Sequence, residues 1–198
     1  MKERPILFKA EMVRAILDGR KTQTRRAVKP QPASGVRQSP FSSSGLEDGH
    51  GRELSCPYGK PGDQLWVREA TIKVEDHGYE GPVYVESDEG RACLEGGLAP
   101  GIDDCVEVEP YELRIRPSIH MPRASSRITL EITGVRVERL QDISEGDSIA
   151  EGCTNSLHLP GGRFANENFA HLWWVINGDG AWETNPWVWV IEFKRIKP

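Results

Sequence analysis

Lys21, Thr22 and Thr24, set among Arg20, Arg25 and Arg26, place one amine, two hydroxyls and three guanidiniums in the eight residues 19–26. Such a set can do two kinds of work. A lysine that loses its proton can serve as a base for a threonine hydroxyl, and the arginines can hold a phosphate. The same stretch would also serve as a solvated basic turn. What decides between these is the element that delivers it. Upstream, Met12, Val13, Ile16 and Leu17 share one face of a 3.6-residue period while Glu11, Arg14 and Asp18 share the other, which predicts a short amphipathic helix ended by Gly19.

Other chemistry-bearing residues lie further along. Residues 114–123 hold three arginines and His120 between Pro117 and Pro122, an irregular path suited to lining a ligand. Residues 64–70 alternate Leu65, Val67 and Glu69 against Trp66 and Arg68, a strand with two usable faces. Ser144, with Asp147 three residues on, predicts a capped short helix closed by Gly152. Glu151 then stands at a helix C-terminus, where the dipole disfavours its charge and a cation would be welcome.

Between these stretches, the prolines, serines and glycines of residues 30–55 predict a long surface loop. Residues 127–140 read as a strand pair or one long bent strand, with Ile128, Leu130 and Ile132 inward and Gly134 at a bulge or bend. A glycine-rich loop over residues 159–163 precedes a helix begun by Asn166, with Phe169, Leu172, Trp173 and Ile176 on one face, ended by Gly178 and Gly180. Residues 186–196 form a last strand with aromatics and Ile191 on one side. Strands dominate and three short helices accompany them, so an α+β fold, a small mixed-topology β-barrel decorated by helices, is expected.

The 198 residues suit one domain. The net charge of -5 conceals an acidic insertion, because residues 75–110 carry eleven acids against one arginine, leaving 19 acids and 24 bases elsewhere. Apart from one strand over residues 82–86, that insertion is expected on the surface, and the basic remainder suits an anionic partner such as a nucleotide or RNA. The four cysteines are scattered without a C-x-x-C pair, so neither a zinc site nor a disulfide framework is expected, and no metal or cofactor is called for. With no apolar run near about 20 residues and no apolar leader, no membrane partner is expected and the chain is placed in the cytoplasm.

Three features in order, Gly19-x-Lys21-x-x-Thr24-x-Arg26 after a helix, the strand entry Gly62-Asp63-Gln64-Leu65-Trp66-Val67-Arg68, and Ile132-Thr133-Gly134-Val135 with Ile143-Ser144-Glu145 running to Glu151-Gly152, resemble the ASCH superfamily. The long loops look like those of phage and prophage members. The resemblance implies a PUA-like mixed β-barrel with short flanking helices and long loop insertions. Its cleft would handle RNA or modified nucleosides. It also implies an amidohydrolase that removes the acyl group from N4-acetylcytidine with Lys21, Thr24 and Glu151 as catalytic residues. Arg26, Trp66, Arg68, His120 and Arg123 are then expected to contact the substrate, Trp66 by stacking on a base. A non-catalytic RNA-binding module, and a metal-independent ribonuclease using His120 with Lys21, are the alternatives.

Overall fold

The computed structural model describes residues 1–32, 34–40, 42, 44–74, 81–101, 105–109, 111–156 and 163–196. Its strands are β1 (Glu3–Leu7), β2 (Gln23–Ala27), β3 (Val36–Gln38), β4 (Leu46–Asp48), β5 (Gln64–Arg68), β6 (Thr71–Lys73), β7 (Val83–Tyr84), β8 (Leu98–Pro100), β9 (Cys105–Glu107), β10 (Arg114–Arg116), β11 (Thr129–Arg139) and β12 (Trp187–Ile196). The helices are α1 (Ala10–Leu17), α2 (Asp88–Gly96), α3 (Glu145–Ala150) and α4 (Ala165–Asn177). This is an α+β fold of several sheets and few helices, and among the described residues no closed barrel forms.

The main sheet has the order β1-β5-β11-β12-β2, with β1 parallel to β5 and the other neighbours antiparallel. β11 is one continuous strand, and its register against β12 slips between Ile132 and Gly134. That slip is the bulge expected at Gly134, where a Cβ would lie 2.6 Å from a Glu192 carboxylate oxygen. β12 is buried on both faces. Trp189, Ile191 and Phe193 join Ile6, Leu65, Val67, Leu130 and Ile132 in one core. Val188 and Val190 join Phe169 and Trp173 of α4 in a second core. At roughly 1.5–3 kcal/mol for each large apolar side chain buried, β12 anchors both layers.

Two expectations about insertions change. Residues 30–55 hold the hairpin β3–β4, and Leu54 is buried in the main core with Val36 and Leu46 packed on it. Low apolar content does not leave this segment a plain loop, because Asp48 supplies the missing order: its buried carboxylate accepts the backbone N–H groups of His50 and Arg52. The acidic stretch, described here over residues 81–101 and 105–109, is likewise more than a surface lobe. It contains a fourth helix, α2, capped by Ser87, and its Val83, Cys93, Ala99 and Val108 form a small core with Ile72 and Val74, which precede it. The expected strand at residues 82–86 is cut to Val83–Tyr84. The glycine-rich loop at residues 159–163 lies, save for Arg163, outside the described residues.

Candidate functional site

α1 ends as the sequence predicts. Gly19 turns the chain with φ of 75°, and the Lys21 N–H donates back to the Ala15 carbonyl at 3.0 Å. The chain is extended from Gln23 onward, so Lys21 stands just outside the strand and Thr24 within it. Ser144 caps α3, its hydroxyl accepting the Asp147 N–H at 3.0 Å, and Gly152 closes the helix with φ of 94°. A Cβ on Gly152 would lie 3.0 Å from the Ala15 Cβ and 3.3 Å from the Lys21 Cβ. Only a glycine lets the two helix ends approach this closely.

That approach seats Lys21 on the C-terminus of α3. Its Nζ donates to the Glu151 carboxylate at 2.6 Å and to the Glu151 carbonyl at 2.8 Å, and both side chains are almost wholly buried. The cation that Glu151 needs at the negative end of its helix is therefore Lys21, joined by Arg25, whose Nη1 donates to the other carboxylate oxygen at 3.3 Å. Burial pushes the Lys21 pKa below its ordinary value; the Glu151 carboxylate pulls it up, and Arg26 adds to the lowering. The neighbouring Cys153 thiol is pushed up to about 11, chiefly by burial and then by Glu151, which leaves it protonated and unreactive.

Lys21, Thr24, Glu151 and Arg26 line one cavity of about 510 Å³, a size suited to a small molecule. Phe8, Met12, Val13, Leu172, Trp173 and Ile176 supply its apolar wall. The Lys21 amine also lies 5.7 Å from the Phe8 ring centre. The hydroxyl of Thr24 has no hydrogen-bond partner among the described residues. Arg26 spans the gap between the sheet's two edges, β1 and β2: its Nη2 donates to the Leu7 carbonyl at 2.6 Å and its guanidinium lies 5.4 Å from the Phe8 ring centre.

The other expected substrate contacts lie elsewhere. Arg68 stacks on Trp66 at 5.1 Å and its Nε donates to the Met121 carbonyl at 3.1 Å. Arg123 makes a two-pronged pair with Glu3 at 3.0 and 3.1 Å. His120 lines a separate hollow with Ile115, Arg116 and Met121. None of these four lines the cavity of Lys21. Arg68, at the end of β5, and Arg123 are held by protein acceptors, the Met121 carbonyl and Glu3.

Glu69 is a cavity residue that sequence reasoning left without a role. It is buried and held by both prongs of Arg127 at 2.9 and 3.0 Å. The signal was present, since Glu69 continues the inward phase of Leu65 and Val67. Arg25 was weighed only as a nearby positive charge, yet its side chain is completely buried against Glu151, Glu138 and Asp147. Among the described residues no group of three or more His, Cys, Asp or Glu side chains could hold a metal ion, all four cysteines are free, and no helix is long and apolar enough to cross a membrane. Searches against protein-family models, curated proteins and solved structures found no match for this chain.

Proposed function

We propose that this protein is an amidohydrolase acting on N4-acylated cytidines, and that its curled five-stranded sheet is a variant of the PUA-like barrel of the ASCH superfamily. The observation that carries the reading is the buried Lys21–Glu151 pair at 2.6 Å in the same cavity as the Thr24 hydroxyl. For the barrel, the support is the Arg26–Leu7 bond, which ties together the two edges of the sheet.

In this reaction the amide between the acyl carbonyl and the exocyclic nitrogen of the base is broken, water supplies OH to the acyl carbon, and the nitrogen leaves as an amine after taking a proton. Lys21, in its neutral form, accepts the proton of the attacking hydroxyl, and burial raises the share of that form at a given pH. The attacking oxygen is that of Thr24, giving an acyl-threonine that water then hydrolyses, or that of a water bound by Thr24; mass spectrometry of a trapped acyl-enzyme distinguishes the routes. Glu151 holds the Lys21 amine in place and returns the proton toward the leaving nitrogen. The apolar wall of Phe8, Trp173 and Leu172 accommodates a flat ring and an acyl group.

Incubating the pure protein with N4-acetylcytidine should release cytidine and acetate, and Lys21→Ala, Thr24→Ala and Glu151→Gln should each suppress the release. No turnover by the wild type, or turnover undiminished in these variants, overturns the reading and leaves RNA binding without catalysis as the remaining one. The ribonuclease reading gains no support, because His120 and Lys21 line different hollows.

A further inference from the structure

We propose that Arg25 is the positioning residue of this site, its buried guanidinium fixing the Glu151 carboxylate and, through it, the Lys21 amine. This rests on the hydrolytic reading above. Arg25 lies on β2 between Thr24 and Arg26, and β-strand alternation turns it to the other face of the sheet, toward α3 and α4. There its side chain is fully buried, with the guanidinium 5.8 Å from the Phe169 ring centre.

Its donors are divided among three carboxylates. Nη1 reaches Glu151 Oε1 at 3.3 Å, Nε reaches Glu138 at 3.1 Å with Nη2 on the same oxygen, and Nη2 lies 3.5 Å from Asp147. Arg136 braces the outer two, pairing with Glu138 at 3.0 Å and Asp147 at 3.1 Å, and continues to Glu192. A planar guanidinium with fixed donor directions is suited to this arrangement, and a lysine could satisfy only part of it. The consequence falls on Glu151. One oxygen is taken by Arg25 and the other by Lys21, so the carboxylate cannot rotate, and the amine it holds stays fixed in the cavity that Thr24 also lines.

Arg25 also biases the proton. The charged and titratable groups around the pair are Arg25 and Arg26 of β2, Cys153 after α3 and, lining the same cavity, Lys9, Glu69 and Glu86, with Glu138 of β11 and Asp147 of α3 behind Arg25 and Glu11 of α1 near Cys153. Removing one buried cation from this set favours the ammonium form of Lys21. The rise of hydrolysis with pH, which follows Lys21 losing its proton, then moves to higher pH.

The test compares wild type, Arg25→Gln and Arg25→Lys on N4-acetylcytidine across pH, together with the titration of Lys21 followed by NMR of lysine labelled with 13C at the ε carbon. Arg25→Gln should lower kcat by roughly a hundredfold with KM within about twofold, and should move both the rate profile and the Lys21 titration to higher pH. Arg25→Lys should keep the Lys21 titration near that of wild type, since the charge remains, while losing about tenfold in kcat because the fork is gone. Wild-type kcat in either variant overturns the proposal, as does an unmoved Lys21 titration in Arg25→Gln. If the wild type hydrolyses nothing, the functional reading fails by itself and the Lys21 titration still decides the role of Arg25. Should Arg25→Gln not fold, the kcat and titration of Arg25→Lys carry the decision.

Discussion

Replacing Glu151 with glutamine removes one charge from a buried cluster while nearly preserving shape, and its consequence can be worked out in advance. In the native protein Glu151 is the carboxylate bound by Lys21, and it shares Arg25 with Glu138 and Asp147. After the substitution Arg25 keeps two carboxylates, whereas Lys21 keeps only neutral acceptors, the glutamine amide oxygen and the main-chain carbonyl that lies at 2.8 Å in the native protein. Breaking a buried pair by deleting one partner costs about 3–5 kcal/mol. The loss attributable to Lys21 has a ceiling, however, because the amine can discharge. Relative to an unfolded lysine with a pKa of about 10.4, giving up the proton costs about 4.6 kcal/mol at pH 7 and about 1.9 kcal/mol at pH 9. The sign follows from linkage: the variant's folded state binds fewer protons than its unfolded state below that pKa, so its stability rises with pH. Lys21→Met should cost less, about 1–2 kcal/mol, because Glu151 retains Arg25. Urea denaturation of wild type and both variants at pH 7 and pH 9 measures this. The expected result is a Glu151→Gln penalty of about 3–5 kcal/mol at pH 7, or roughly 6–20 °C in Tm, that shrinks clearly by pH 9. A penalty that is flat with pH, or smaller than that of Lys21→Met, refutes the reasoning.

Thr24→Ala removes a hydroxyl without a partner among the described residues, so it should change stability by less than about 1 kcal/mol while lowering N4-acetylcytidine turnover by roughly a hundredfold or more; calorimetry and product release measure the two halves. Gly152→Ala places a Cβ at positive φ against Ala15 and Lys21 and should cost about 1–3 kcal/mol, read as a fall in Tm with reduced turnover. Asp48 and Asp63 are held below the ordinary aspartate pKa, chiefly by the backbone N–H groups of Arg52 and Lys2 respectively. Their stabilisation is full above the unfolded pKa of about 3.9 and disappears as pH falls through the lower folded value. Thermal melts should therefore show Tm dropping steeply below about pH 4, and Asp63→Asn should flatten that drop.

Local signals carried well into the structure where each residue's neighbours were close in sequence. The α1 face of Met12, Val13, Ile16 and Leu17, its stop at Gly19 and the Ser144 cap are set by contacts within a few residues, and all appear; the Gly134 bulge, though made against β12, was marked by the glycine itself. The order in residues 30–55 and in α2 was harder to read, because it depends on single polar groups. Asp48 gathers backbone donors in one case, and Ser87 caps the helix in the other. Neither leaves an apolar period. That Arg68 and Arg123 would find protein acceptors was not legible, because the Met121 carbonyl and Glu3 lie 53 and 120 residues away.

The arrangement of the site follows from where β2 sits. In a central strand, residues 24 and 25 would face opposite layers, and a cavity could reach only one of them. β2 is the edge of the sheet, so a hollow opening over its free side takes Thr24 and Arg26 from one face and Arg25 from the other. The core face of β2 pairs with Trp189 and Ile191, and its opposite face with Val188 and Val190, so the two apolar cores fix both sets of side chains independently. An edge strand usually invites pairing with another chain. Here Arg26 reaches across to Leu7 of the opposite edge strand, and Lys21 and Arg25 are held by carboxylates from α3 and β11. The charges gathered on this edge also discourage a second strand from adding to it, so a substitution that neutralises Arg26 should be felt as association between copies as well as in the cavity.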